Sequence, residues 1–168
     1  TDDIDRPGQV YAYFVRSPHA HARIRGIDKS GAEAAPGVLA VFTGDDVKAA
    51  GWGNLICGWM VKSRDGSDMK AGPHPMLAQG KARYVGDAVA CVVAETYHQA
   101  RDAAELIEVD YEELTPVIDI TTAESAGSAV HDDVPNNVCY DWGHGSKDAV
   151  DAAFAKAAHV TKLTFHNN

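Results

Sequence analysis

Hydrophobic residues in the middle of the chain follow a strand pattern and then a helix pattern. Residues 88–94 form an uninterrupted apolar run, which predicts a strand buried on both faces. Thr96 follows as a helix N-cap, with Gln99 at the capping-box position. The helical period places four side chains on one face: Tyr97, Ala100, Ala104 and Ile107. Residues 107–113 alternate apolar and acidic side chains, which predicts a half-buried strand packed nearby.

The first fifty residues predict three strands and a short helix. Residues 10–16 and 21–27 are predicted to be strands separated by a proline break. The short connection suggests an antiparallel pair, and the alternative is that Ser17–Ala20 forms a wider connection. Residues 38–42 predict a further strand. Thr43 then caps a short helix over residues 45–50, whose acidic first turn suits the helix dipole.

Residues 52–75 follow neither period. This stretch contains Trp52 and Trp59 among glycines and prolines, which predicts a long loop of the kind that carries binding or interface work. Residues 76–78 and 138–145 are each expected to contain a short strand.

The last part of the chain predicts a helix followed by a strand. Ser146 caps a helix that runs to residue 158, with Val150 and Phe154 on its inward face. Residues 159–165 alternate in the manner of a strand, for which the chain offers no evident partner.

The composition is that of an ordinary globular domain, and it argues against some classes of binding partner. It has 168 residues, of which 45% are hydrophobic and 23% charged, and its net charge is -9. The acidic balance argues against nucleic-acid binding, which needs clustered Lys and Arg. No stretch reaches the roughly 18 apolar residues that a membrane span needs. The widely spaced Cys57, Cys91 and Cys139 lack metal-site spacing and favour a reducing, cytoplasmic location.

Histidines lie close to other metal ligands at three places. His19 and His21 would share a face on a strand and could bind one metal ion. The alternative without a metal ion puts His19 in a turn and His21 at the start of a strand. The other two places are loop segments, which hold His131 with Asp132 and Asp133, and Asp141 with His144.

Two further features carry possible chemistry. Glu108, Asp110 and Glu112 lie on one strand face, where paired carboxylates can act as acid and base. The alternative is that these carboxylates simply form the solvent-exposed face of a half-buried strand. The glycine-rich turn 142–146 precedes a helix and could bind a phosphate, although it matches no phosphate-binding motif.

The turn 83–87, just before the apolar strand, is the best candidate for a functional surface. Glycine at position 86 allows a positive φ or a close backbone approach, and Arg and Tyr are good interface anchors. The alternative is a strand-entry turn in which Arg83 simply pairs with Asp87. The interface candidates are Arg83, Tyr84, Gly86, Asp87, Trp52 and Trp59.

Several segments in order resemble one family. RYVGDAVACVVAE at residues 83–95 and IEVDYEEL at 107–114 resemble a signature of the molybdenum hydroxylases, the xanthine dehydrogenase, aldehyde oxidase and carbon monoxide dehydrogenase family. Residues 13–24 and 35–44 (YFVRSPHAHARI and APGVLAVFTG) resemble further segments of the α/β hammerhead domain of the large subunit. The carbon monoxide dehydrogenase large-chain branch is most similar, through Gly58-Trp59-Met60 and Pro73-His74-Pro75.

The resemblance implies an α+β fold, a mixed α/β hammerhead domain with a small mixed sheet and packed helices. Residues 1–145 would form this domain, and residues 146–168 would lead into a molybdenum-binding domain outside the sequence. The chain would be a non-catalytic structural and interface part of the large subunit. The resemblance transfers no catalytic, cofactor-binding or metal residue to these 168 positions.

For the parent protein the resemblance implies oxidative hydroxylation, or carbon monoxide oxidation, with water as the oxygen source. Molybdenum would be held by molybdopterin cytosine dinucleotide, and electrons would leave through 2Fe–2S clusters and FAD on partner subunits. The rest of the large subunit would be the first partner. Two alternatives remain open: a stand-alone binding module that uses the 52–75 loop, and a metalloenzyme that uses His19 and His21 or His131 and Asp133.

Overall fold

The computed structural model describes residues 4–165, and its secondary structure alternates strands and short helices. The strands are β1 (Tyr11–Arg16), β2 (Ala22–Asp28), β3 (Val38–Thr43), β4 (Lys81–Ala82), β5 (Ala88–Ala94) and β6 (Glu108–Glu113). The α-helices are α1 (Ser30–Glu33), α2 (Gly44–Ala49), α3 (Tyr97–Ala104) and α4 (Lys147–Ala155). Short 3-10 turns span Ala123–Ser125 and Pro135–Asn137.

The strands form two three-stranded sheets, and each recorded pairing is antiparallel. Sheet 1 has the order β1-β5-β3, and sheet 2 has the order β4-β2-β6. The expected small α/β domain with packed helices is confirmed, with its strands divided between two sheets. β5 is the central strand of sheet 1, which explains why residues 88–94 are apolar at every position.

The expected pairing of the first two strands is wrong. β1 pairs with β5 in sheet 1, whereas β2 lies in sheet 2 between β4 and β6. The backbone after β1 explains the difference, because the N–H of Ser17 donates to the carbonyl of Asp87 at 2.8 Å. The N–H of Gly86 donates back to the carbonyl of Ser17 at 2.8 Å. These bonds hold the end of β1 against the turn before β5 and leave β2 free to enter another sheet.

The main core lies between sheet 1 and helices α1 and α3. Its buried members are Ala32, Val41, Ala90, Val92, Ala94, Ala100, Ala103, Ala104 and Ile107. The inward face of α3 is confirmed at Ala100 and Ala104. Tyr97 departs from that expectation, because it is exposed and its ring meets the ring of Tyr13 edge-on at 5.9 Å. The helix ends at Ala104, so Ile107 reaches the core from the chain that follows it.

Side chains at the helix starts act as the sequence predicts. Thr96 accepts a hydrogen bond from the N–H of Gln99 at 3.2 Å, which caps α3. At α2, the carboxylate of Asp46 accepts the N–H of Thr43 at 2.7 Å as part of a capping box.

Other expectations in the second half of the chain are corrected. Residues 76–78 form no strand and follow an irregular path, in which the N–H of the buried Ala78 donates to the carbonyl of Ala88 at 2.7 Å. The short strand of this region is β4, which begins at Lys81. Residues 138–145 and 159–165 have no strand either, since no sheet edge of the described chain pairs with them. The helix after Ser146 ends at Ala155, and its expected inward residues Val150 and Phe154 are exposed.

The loop over residues 52–75 is confirmed as irregular. Two isolated bridges order it, Asn54 with Pro75 and Lys62 with Asp68. None of the helices in residues 4–165 is long and apolar enough to cross a lipid bilayer.

Candidate interface site

The turn 83–87 is a rigid structure that displays two side chains at its tip. The buried carboxylate of Asp87 accepts the main-chain N–H of Arg83 at 3.0 Å, and the N–H of Asp87 donates to the carbonyl of Tyr84 at 3.1 Å. Gly86 has a φ of +93°, a conformation that side chains with a Cβ rarely adopt. Tyr84 and Val85 are exposed. The turn therefore presents an aromatic and an aliphatic side chain on a fixed backbone.

The simple ion pair between Arg83 and Asp87 is replaced by another arrangement. The carboxylate binds the backbone, while the guanidinium Nη1 of Arg83 donates to the carbonyl of Lys81 at 3.4 Å. Burial and the negative charge of Asp87 raise the pKa of Tyr84, so its hydroxyl stays neutral. Arg16 fastens the turn to β1, because its guanidinium donates to the carbonyl of Gly86 at 2.8 Å.

Trp52 and Trp59 lie on the 52–75 loop, on a different segment from the turn. Both side chains are exposed, and Trp59 reaches 79% exposure. The loop base is held by the N–H of Leu55, which donates to the carbonyl of His74 at 2.8 Å. A two-pronged ion pair, with Arg64 donating to both carboxylate oxygens of Asp141 at 2.7 and 2.8 Å, ties the loop to the chain near residue 141. An ordered loop thus carries large aromatic side chains in solvent.

The structure separates the two early histidines. His21 is buried at the start of β2, where its Nδ1 lies 3.0 Å from the carbonyl of Thr115. His19 lies in the preceding turn, with Nδ1 3.5 Å from Glu113 and its ring 4.8 Å from that of Tyr111. The structural alternative, with one imidazole in a turn and the other at a strand start, is therefore the observed one.

His131 belongs to a polar junction that the sequence did not reveal. Its ring packs so close to Gly72 that a Cβ on that glycine would lie 2.5 Å from the ring. Burial, aided by the charge of Arg83, lowers the pKa of His131. The neighbouring Asp132 receives two hydrogen bonds from Lys81 at 2.7 and 2.9 Å, which fix the loop to β4.

The carboxylates of β6 face solvent, as the alternative interpretation predicted. Glu108 and Asp110 are exposed, and Glu112 lies 2.7 Å from Arg23 and 3.3 Å from Arg25 on the neighbouring strand β2. These two arginines lower the pKa of Glu112 and keep it ionised. The arrangement stabilises the edge of sheet 2 and keeps Glu112 engaged with two basic side chains.

The ionisable side chains of residues 4–165 determine whether a metal ion or a phosphate group could bind. No group of three or more His, Cys, Asp or Glu within residues 4–165 is placed to hold a metal. The cavity of about 300 Å³ between β2 and α2 is lined by two basic and two acidic side chains, Arg25, Lys29, Asp45 and Asp46, and Lys29 already pairs with Asp46 at 3.1 Å. At the start of α4, Ser146 already accepts the N–H of Ala149 at 3.3 Å and Asp148 lies in the first turn.

The outer face of sheet 1, opposite α3, is a surface that the sequence did not reveal. Phe14 on β1 and Phe42 on β3 are both paired with Cys91 on β5, so the three side chains form a row across the sheet. A second row contains Ala12, Val93 and Ala40. The apolar run of β5 was the available signal, because a central strand that is apolar on both faces needs a cover on each side.

Comparison with known proteins gives one family. The sequence model described as "Aldehyde oxidase and xanthine dehydrogenase, a/b hammerhead domain" matches residues 1–115. The chain is 37% identical to the nicotine 6-hydroxylase large subunit of Paenarthrobacter nicotinovorans, over 98% of this chain and 19% of that protein. It is 38% identical to the carbon monoxide dehydrogenase large chain of Afipia carboxidovorans, over 98% of this chain and 21% of that protein.

A solved structure agrees with these relatives. The crystal structure of a Cu,Mo-CO dehydrogenase superposes with a TM-score of 0.71 at 34% identity, over 94% of this chain and 20% of that one. The chain thus spans about a fifth of the length of the curated relatives that it matches.

Proposed function

This chain belongs to the aldehyde oxidase and xanthine dehydrogenase family as its a/b hammerhead domain, and we propose that it is a non-catalytic structural and interface domain of a molybdenum-binding large subunit. The observation that carries the proposal is the share of each relative that this chain covers. Nearly the whole chain matches, yet it spans only 19% and 21% of the two relatives. A domain of this kind would contribute its surface to a larger protein and leave the chemistry to other parts of it.

The use of the polar candidates within the domain supports a structural role. Glu112 pairs with two arginines, Asp132 with Lys81, and Asp141 with Arg64. His21 binds a main-chain carbonyl. Groups engaged in this way stabilise the fold and leave little freedom for proton transfer.

The interface would use the rigid turn and the exposed aromatic side chains. Tyr84 projects from the turn that Arg83, Gly86 and Asp87 shape, and Trp52 and Trp59 project from the 52–75 loop. Aromatic residues on a fixed backbone bury a large area at a small cost in side-chain entropy. We assign residues 1–145 to the domain and residues 146–168 to the connection with the molybdenum-binding domain. Full exposure of α4 supports that division.

For the parent protein we propose a molybdenum-dependent oxidoreductase that hydroxylates a substrate, or oxidises carbon monoxide, with oxygen from water. Its molybdenum would be bound by molybdopterin cytosine dinucleotide outside these residues. Its partners would be subunits that carry 2Fe–2S clusters and FAD. The names of the relatives, a large subunit and a large chain, support a multi-subunit assembly. The free thiols of Cys57, Cys91 and Cys139 fit a cytoplasmic location.

The native polypeptide tests this proposal. Mass spectrometry of the source cells should find the peptide of residues 84–101 in a polypeptide roughly five times as long as this chain, because the chain spans 19% and 21% of its relatives. The same purified protein should contain molybdenum. A native product of 17.9 kDa without molybdenum would overturn the proposal. It would favour the stand-alone module or the histidine-based metalloenzyme, and stoichiometric bound metal would separate these two.

A further inference from the structure

Sheet 1 has apolar side chains on both faces, but within residues 4–165 helices cover only one of them. On the inner face, the row formed by Tyr13, Val92 and Val41 packs with the core beneath α1 and α3. On the outer face, Phe14 is 44% exposed and Phe42 is 41% exposed. A three-stranded sheet with one uncovered apolar face is an incomplete layer structure, since each apolar face of a sheet is normally buried against another element.

We propose that the outer face of sheet 1 is the surface on which another, mainly apolar segment of the same polypeptide packs. The proposal rests on the proposed function, because it takes the chain as one domain of a longer large subunit. It adds a surface of Phe14, Cys91 and Phe42 to the interface formed by the turn and the 52–75 loop.

The side chains of the outer face indicate which side chains the packing segment should carry. Neither of its two rows contains a carboxylate or an amine, although the whole chain has a net charge of -9. Arg16 follows Phe14 on the same face, and its guanidinium already donates to the carbonyl of Gly86. A bond to a neutral carbonyl leaves the charge of the exposed Arg16 able to pair with one acidic side chain, whereas the two apolar rows favour aliphatic or aromatic side chains.

The shape of the outer face also favours an apolar side chain. Phe14 and Phe42 lie on strands either side of β5, which puts them roughly 10 Å apart, with the small Cys91 between them. A leucine or phenylalanine from a helix or strand could pack on the small Cys91 between the two aromatic rings.

The length of the related protein identifies the source of that segment. In the carbon monoxide dehydrogenase structure, 94% of this chain matches 20% of the related chain, so about four-fifths of that polypeptide lies outside the match. A segment on the same polypeptide is present at a high effective concentration that does not change on dilution. It can therefore cover the face permanently, whereas a second copy of the chain would do so only above its dissociation constant.

Cysteine labelling of the full-length large subunit in its native complex tests the inference. Phe14→Cys and Phe42→Cys place a thiol on the outer face, and Leu106→Cys places one on the other side of the domain at a residue that is 51% exposed. Each protein is treated with a maleimide under native conditions, and labelling at the substituted position is followed by peptide mass spectrometry. Positions 14 and 42 should react at least about tenfold more slowly than position 106, as expected for thiols reached only by local opening.

Three other results are informative. Equal rates at the three positions in a long polypeptide would overturn the inference and leave the proposed function intact. Slow rates at 14 and 42 that recover on dilution would show that a second molecule covers the face. Failure of the proposed function itself would appear beforehand, as a native polypeptide of 17.9 kDa.

Discussion

Three buried nitrogen atoms have no hydrogen-bond partner among residues 4–165: His21 Nε2, Arg83 Nε and His131 Nδ1. Arg83 and His131 lie near each other, since the charge of Arg83 lowers the pKa of both His131 and its neighbour Asp132. A buried polar group without a partner costs about 1–3 kcal/mol. The ion pair of Lys81 with Asp132 and the close packing of His131 on Gly72 hold this junction together.

The junction should make the stability of the protein depend on pH. Burial and the charge of Arg83 lower the pKa of His131 below its ordinary value of 6.5, although Asp133 and Asp132 oppose the change. As the pH falls below 6.5, the unfolded chain binds the proton before the folded one does, so the folded state loses stability. In the His131→Gln variant, the free energy of unfolding should fall less between about pH 7.5 and about pH 5.5.

The matched control is His98→Gln, at an exposed position of α3, which should keep the pH dependence of the wild type. Asp132 does not interfere, because Lys81 holds the pKa of its carboxyl below 3.8, outside this window. Urea unfolding at each pH gives the free energies. If the His131→Gln protein loses stability as steeply as the wild type, the titration of His131 is not the cause.

Single positions also show what the sequence could not supply. Gly44 begins α2, where a side chain would normally favour the helix. A Cβ there would lie 2.2 Å from the carbonyl oxygen of Ala78, so the position needs glycine. Nothing near residue 44 in the sequence indicates that the backbone of a distant segment crosses at that point. The turn at Gly86 was predictable, by contrast, because Gly86 and Asp87 are local signals of a turn and Asp87 accepts the nearby N–H of Arg83, although the bonds from the turn to Ser17 and Arg16 were not.

At the scale of elements, α3 and α4 begin with the same cap but differ in what they contribute. Thr96 accepts the N–H of Gln99, and Ser146 accepts the N–H of Ala149. α3 buries three alanines against sheet 1, whereas α4 has no buried residue. Loss of an N-cap should therefore affect the global stability of the chain only at α3.

A pair of cap substitutions tests that difference. Thr96→Ala should lower the free energy of unfolding of the 168-residue chain by about 1 kcal/mol. Ser146→Ala should change it by less than about 0.5 kcal/mol, since fraying of α4 exposes no core. Urea unfolding followed by circular dichroism measures both. Equal losses in the two variants would mean that α4 unfolds together with the core.

The elements differ in how far the sequence predicts them. β5, α3 and the caps at Thr43 and Thr96 follow from local periodicity and local hydrogen bonds. The pairing of β1 with β5 does not, because periodicity specifies which face of a strand is apolar and not which strand lies beside it. The row of Phe14, Cys91 and Phe42 depends on the register of that pairing, and for this reason the outer face of sheet 1 escaped prediction.

At the scale of the whole molecule, the C-terminal part of the chain has apolar side chains without a place in this domain. Val150 and Phe154 follow the period of a helix with a buried face, yet both are exposed on α4. Leu163 and Phe165 occupy the alternating segment and are exposed as well. A contact with a part of the protein outside residues 4–165 would bury these side chains, as the proposed connection to the next domain requires.

Hydrogen exchange measures whether α4 is protected by a contact outside this domain. In the 168-residue chain, the amides of α3 should be protected and those of α4 should exchange at nearly the rate of an unfolded segment. In the full-length large subunit, α4 should be protected at least about tenfold more, because burial of one phenylalanine contributes about 1.5–3 kcal/mol. α3 serves as the internal control, with similar protection in both proteins. Fast exchange of α4 in both would place residues 146–168 outside any domain contact, and strong protection in both would make α4 part of the hammerhead domain itself.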